Sequence, residues 1–73
     1  MKHYLFSITN NQIEDFEGEV SGTSTEYHQL EKSFGVEEIF YKTKDGKVNS
    51  VICEAYNERS ARNAIKEFLD TLN

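Results

Sequence analysis

The densest group of residues able to do chemistry is the acidic run Glu14, Asp15, Glu17 and Glu19. Read as part of a strand over residues 13–21, Glu17 and Glu19 lie on one face, about 7 Å apart at strand spacing. Two carboxylates so placed begin a divalent-cation site, but magnesium and calcium need further oxygen ligands, usually on a fixed loop. A metal-dependent nuclease would add a lysine close to its carboxylates, and no Glu-x-Lys triplet occurs. The run therefore reads as a solvated strand face whose charges discourage edge pairing, and as a candidate surface for a partner. No metal ligand is assigned.

The other reactive groups are scattered. His3 and His28 are the two histidines, and neither has a second ligand at a recognised spacing. A general-base role for His28 beside Glu26 or Glu31 lacks an activated nucleophile, because Ser24 and Thr25 are explained by helix capping. Cys53, the single cysteine, excludes an internal disulfide and a multi-thiolate zinc site; it reads as a small apolar strand residue in a reducing, cytoplasmic setting. Glycines 18, 22, 35 and 46 form no phosphate-cradling loop, and Gly18 suits a bulge or the close approach of a helix. The sequence thus assigns no catalytic residue and no cofactor.

Strands and helices must position these groups. Tyr4, Phe6 and Ile8 share one face of a first strand, with Leu5 on the other. Asn10-Asn11 marks a turn, and the strand at 13–21 alternates Phe16, Gly18 and Val20 with Glu17, Glu19 and Ser21. After Gly22, Thr23-Ser24-Thr25-Glu26 has the form of a capping box. It predicts a helix over 24–34 with Tyr27, Leu30 and Phe34 on one stripe and Gly35 as its left-handed stop. Ile39-Phe40-Tyr41 opens a second hairpin, turned by Asp45-Gly46. Its return strand, Val48 to Tyr56, sets Val51, Cys53 and Ala55 against Ile52, Glu54 and Tyr56. Asn57 is a good N-cap, and Ala61, Ala64, Ile65, Phe68, Leu69 and Leu72 follow at helical spacing.

A shift of 35 residues superposes the two turns and most of the apolar positions, so the chain reads as a ββα-ββα pseudo-repeat with halves 1–35 and 36–73. The expected fold is a single α+β domain: a four-stranded antiparallel sheet with two helices packed on one face. Leu5, Phe40, Ile52 and Tyr56 would then stand on the uncovered face, an apolar patch of the kind that marks an interface.

Composition narrows the function classes. The chain of 73 residues carries thirteen acids and eight bases, a net charge of −5. Residues 1–35 hold six acids and two bases, and 36–73 hold seven and six, so the negative potential belongs to the first half. That charge disfavours direct binding to nucleic acid, and no run approaches the ~20 apolar residues of a membrane span. The expected function is a non-enzymatic interaction protein that binds another protein or itself. The contact would be an open sheet face or edge (Phe40, Ile52, Tyr56) or the acidic N-terminal hairpin (Glu14, Asp15, Glu17, Glu19). The alternative is a nucleic-acid mimic that inhibits a nuclease or DNA-binding protein, in the manner of phage or mobile-element inhibitors. A small enzyme is the third class.

Overall fold

The computed structural model of the chain describes residues 1–31 and 35–73. Its elements in chain order are β1 (Lys2–Thr9), β2 (Gln12–Val20), β3 (His28–Gln29), β4 (Glu38–Lys44), β5 (Lys47–Ala55) and α1 (Glu58–Asp70). The strands form one sheet in the order β2-β1-β5-β4-β3, with each neighbouring pair antiparallel. Among the described residues this is a five-stranded sheet with one helix, which overturns the expected four strands with two helices.

Both hairpins form where the turn residues place them. Thr9 pairs with Gln12 across Asn10-Asn11, and Lys44 with Lys47 across Asp45-Gly46. All four central residues have positive φ, from 54° to 78°, the condition for a two-residue turn matched to strand twist. Asparagine, aspartate and glycine tolerate that region best. The last helix also forms as its spacing predicts. Asn57 Oδ1 accepts from the Ser60 N–H at 2.8 Å, and Arg62 donates to Glu58 one turn earlier at 2.7 Å. The stripe Ala61, Ala64, Ile65, Phe68 and Leu69 is buried, whereas Leu72 lies beyond the helix and is exposed.

The expected helix over 24–34 does not form in residues 24–31, and residues 32–34 lie outside the described part. One turn survives, closed by the Tyr27 N–H on the Ser24 carbonyl at 3.1 Å. The chain then extends. His28 pairs with Tyr41, Gln29 with Phe40, and the Leu30 N–H reaches the Ile39 carbonyl at 2.8 Å. Ser and Thr compete with the backbone for hydrogen bonds and weaken a helix interior, while pairing with β4 satisfies groups that an open edge would leave bare. The ββα-ββα repeat fails for this reason: only its two hairpins recur.

One face of the sheet holds the core. Tyr4, Phe6 and Ile8 of β1, Ile39 of β4, and Val51, Cys53 and Ala55 of β5 pack with the buried stripe of α1. Phe16 joins from β2, its ring centroid 5.1 Å from that of Phe6. Among the described residues, no helix is long and apolar enough to cross a membrane.

Phe6 is fully buried, with the Arg62 guanidinium 5.3 Å from its ring centre. Phe6→Ala is expected to cost about 3–5 kcal/mol, as much as the roughly 3–5 kcal/mol of net stability usual at this size. Urea titration followed by far-ultraviolet circular dichroism should find the variant largely unfolded without denaturant. A two-state transition near the parent midpoint would show that the core does not centre on this ring.

Candidate functional site

The acidic residues lie on an edge. β2 is the outermost strand on its side of the sheet, and Glu14, Asp15, Glu17 and Glu19 are all exposed. Two bulges interrupt its pairing with β1. Phe6 opposes Phe16 while Leu5 opposes Gly18, which leaves Glu17 as the extra residue. Ser7 opposes Asp15 while Ile8 opposes Ile13, which leaves Glu14 as the second. Gly18 takes a φ of 123°, a conformation open to glycine, so the bulge suggested for this position is present. The strict alternation expected for 13–21 is lost. Phe16 faces the helix, whereas Gly18 and Val20 oppose Leu5 and His3 on the other side.

The carboxylates consequently have different neighbours. Thr9 Oγ1 donates to Glu14 Oε1 at 3.1 Å, and Lys2 Nζ lies 3.5 Å from Glu19 Oε1. Asp15 and Glu17 extend the acidic edge between them. Among the described residues no three His, Cys, Asp or Glu side chains converge as metal ligands would.

The histidines are kept apart by the sheet. His3 faces away from the helix, its Nε2 3.3 Å from Glu54 Oε2 and its ring centroid 6.4 Å from that of Phe40. His28 stands on the opposite side, against the Tyr41 ring that in turn meets Phe68 of α1. Shallow concavities lie elsewhere. One of about 490 Å³ is lined by Asn10, Asn11, Gly46, Lys47, Val48 and Leu72. Another of about 360 Å³ runs between α1 and the start of β2, past Ile13, Arg62, Lys66 and Leu69.

The helix-free face is not the bare patch the sequence suggests. Leu5, Ile52 and Phe40 do share a row across β1, β5 and β4. Ile52, however, is only 4% exposed although it belongs to the face away from the helix, and Leu5 and Phe40 are half-buried. Tyr56 is 67% exposed but stands past the end of β5. Its neighbours in exposure are Met1 and Val36, each within two residues of the terminal pairs Lys2–Ala55 and Glu38–Glu54.

Residues 21–27 bring Tyr27 to this face. Val20 opposes His3 at one edge, and His28 opposes Tyr41 at the other. Four strand spacings and an offset of three residues separate these points by roughly 21 Å. Eight extended residue steps reach at most about 26–29 Å, and the turn at Ser24–Tyr27 shortens that. So short a connection stays close to the sheet, and its end lies on the face the helix leaves free. Tyr27 confirms its path: the phenol oxygen lies 2.7 Å from Ser50 Oγ on β5, and Lys42 Nζ is 5.4 Å from the ring centre. Lys42 Nζ is also 3.6 Å from Glu26 Oε2. Sequence reasoning placed Tyr27 on a helical stripe. The missed signal is the period of two at its end, with Tyr27 and Gln29 facing one way and His28 and Leu30 the other.

No protein-family model, curated protein or solved structure matches this chain.

Cys53 lies in the core, and its thiol is pushed up to about 12, first by burial and then by the carboxylates of Glu37 and Glu54. The thiolate is the reactive form. Native protein at pH 8 should therefore react with iodoacetamide roughly a thousandfold more slowly than protein in urea, in proportion to its thiolate fraction. The raised value also means that the folded state keeps a proton the unfolded state loses. Cys53 thus has no adverse effect below its ordinary value of 9.0 and destabilises the fold as pH rises from there toward 12. Urea midpoints compared with Cys53→Ala between pH 8 and 10.5 should show this difference growing with pH. Equal labelling rates in native and denatured protein would contradict the buried thiol.

Proposed function

We propose that the protein is a non-enzymatic interaction protein that binds a basic protein surface through the acidic edge of β2. The observation that carries this reading is the position of Glu14, Asp15, Glu17 and Glu19, all exposed on an outermost strand. Two bulges break the backbone pattern that strand addition would need. Contact at this edge is therefore made by side-chain charge. A net charge of −5 concentrated in the first half steers a cationic partner and repels a phosphate backbone.

The alternative site, the helix-free face, supports the reading less well because Ile52 is covered. The acidic edge needs no rearrangement to meet a partner.

The test is binding from lysate to the immobilised chain, with the parent compared with Glu14→Gln/Asp15→Asn/Glu17→Gln. The variant should keep the parent's circular dichroism and bind the captured partner about tenfold more weakly, from three exposed pairs at roughly 0.2–1 kcal/mol each. Parent binding should also weaken steeply with salt. Release by added duplex DNA would identify the partner's surface as a nucleic-acid groove. Affinity indifferent to both the amide substitutions and salt would exclude the acidic edge as the contact.

A further inference from the structure

Charge is not spread evenly over the two sides of the first hairpin. Asp15 opposes Ser7 and Glu14 accepts from Thr9, residues that alternate with the buried Phe6 and Ile8. Both acids are therefore engaged on the side away from the helix. On the helix side, α1 and the start of β2 enclose a groove of about 360 Å³. That volume lies at the small end of the range for small-molecule sites, about 300–1,000 Å³. Its floor is apolar: Ile13 is half-buried, Leu69 is buried, and both pack on the core.

The wall on α1 is Arg62, Lys66 and Asp70, spaced by four residues and so stacked along one side of the helix. The two cations come first and the carboxylate last. Arg62 is held in place, with one donor on Glu58 at 2.7 Å and the Phe6 ring centre 5.3 Å from its guanidinium. A guanidinium so placed has further N–H groups to offer. Lys66 is exposed and, among the described residues, joins no ion pair. In a chain of net charge −5, this groove is lined by two bases and one acid.

We propose that the groove between α1 and β2 binds a small monocarboxylate with an apolar body. The carboxylate meets Lys66 and the unused donors of Arg62, while the body lies along Ile13 and Leu69. Asp70, one turn beyond Lys66, repels a second negative group at the far end, which disfavours dicarboxylates and acidic peptide segments. Because Arg62 is already fixed by Glu58 and Phe6, little ordering is needed to bind. The groove is separate from the acidic edge, so either surface can fail its test without affecting the other.

The probes are hydrocinnamate, its neutral analogue hydrocinnamyl alcohol, and inorganic phosphate, each titrated into the whole isotope-labelled chain and followed by amide chemical shifts. Hydrocinnamate should give saturable shifts confined to residues 11–13 and 62–70, with the weak affinity usual for a ligand of so few atoms. The alcohol should bind roughly twofold to fivefold more weakly, the worth of an exposed charge contact. Lys66→Gln, at an exposed position, should remove most of that advantage and leave the alcohol's affinity unchanged. Phosphate should not saturate these residues. Equal binding of acid and alcohol, or an acid affinity indifferent to Lys66→Gln, would overturn the carboxylate site. Saturation by phosphate at the same residues would overturn the role of the apolar floor. Shifts absent from the groove, or equally large around Lys44 and Lys47, would overturn the site altogether.

Discussion

The pairing of β1 with β5 sets the arrangement of everything else. Six residues from Lys2 to Ser7 run antiparallel to residues 50–55 and join two hairpins that would each be marginal alone. The pairing brings Phe6 against Val51 and Tyr4 against Cys53, which makes one continuous apolar face from opposite ends of the chain. α1 follows β5 directly and lies over that face, so its stripe from Ala61 to Leu69 finds a prepared surface. The same pairing sends β2 to one edge and leaves β4 toward the other. The acidic edge and the need for a crossing connection both follow from it.

What could be read in the sequence was local. Asn10-Asn11 and Asp45-Gly46 specify their turns because few residues accept positive φ, and that preference does not depend on the rest of the fold. Asn57 and the spacing of Ala61, Ala64, Ile65, Phe68 and Leu69 specify α1 in the same way. The alternation of Tyr4, Phe6 and Ile8 correctly assigns the helix-facing side of β1. The 21–31 segment was not legible by such rules. Its capping-box pattern and its apolar spacing agree on a helix, yet an open edge on β4 outweighs a weak local preference. That edge exists only once β4, β5 and β1 have assembled.

The candidate site was legible to a similar degree. The composition locates the negative potential in the first half of the chain, and the structure puts its four clustered acids on an edge. Their relation to one another was not legible, because each bulge shifts the register by one residue and changes which face the next side chains occupy. Gly18 was the clue, since glycine inside a strand often marks such a place. Ile52 illustrates the opposite limit. Its side of β5 follows from alternation, but its burial to 4% depends on tertiary neighbours that alternation does not specify.

A sheet with one helix has a second face to deal with, and a chain of this size has little left to cover it. A second helix would bury that face more fully but would need a full apolar stripe, and residues 24–31 offer only Tyr27 and Leu30. The chain instead extends across the sheet and uses one aromatic side chain, which covers area at a low cost in side-chain freedom. The two edges are treated differently in turn. β2 is bulged and acidic, whereas β4 is capped by two residues of β3 joined to the crossing connection. The crossing connection and β3 are therefore one continuous segment that meets two exposures. The short β3 is flanked on both sides by further attachments, the Tyr27–Ser50 hydrogen bond before it and the Leu30 N–H on the Ile39 carbonyl after it.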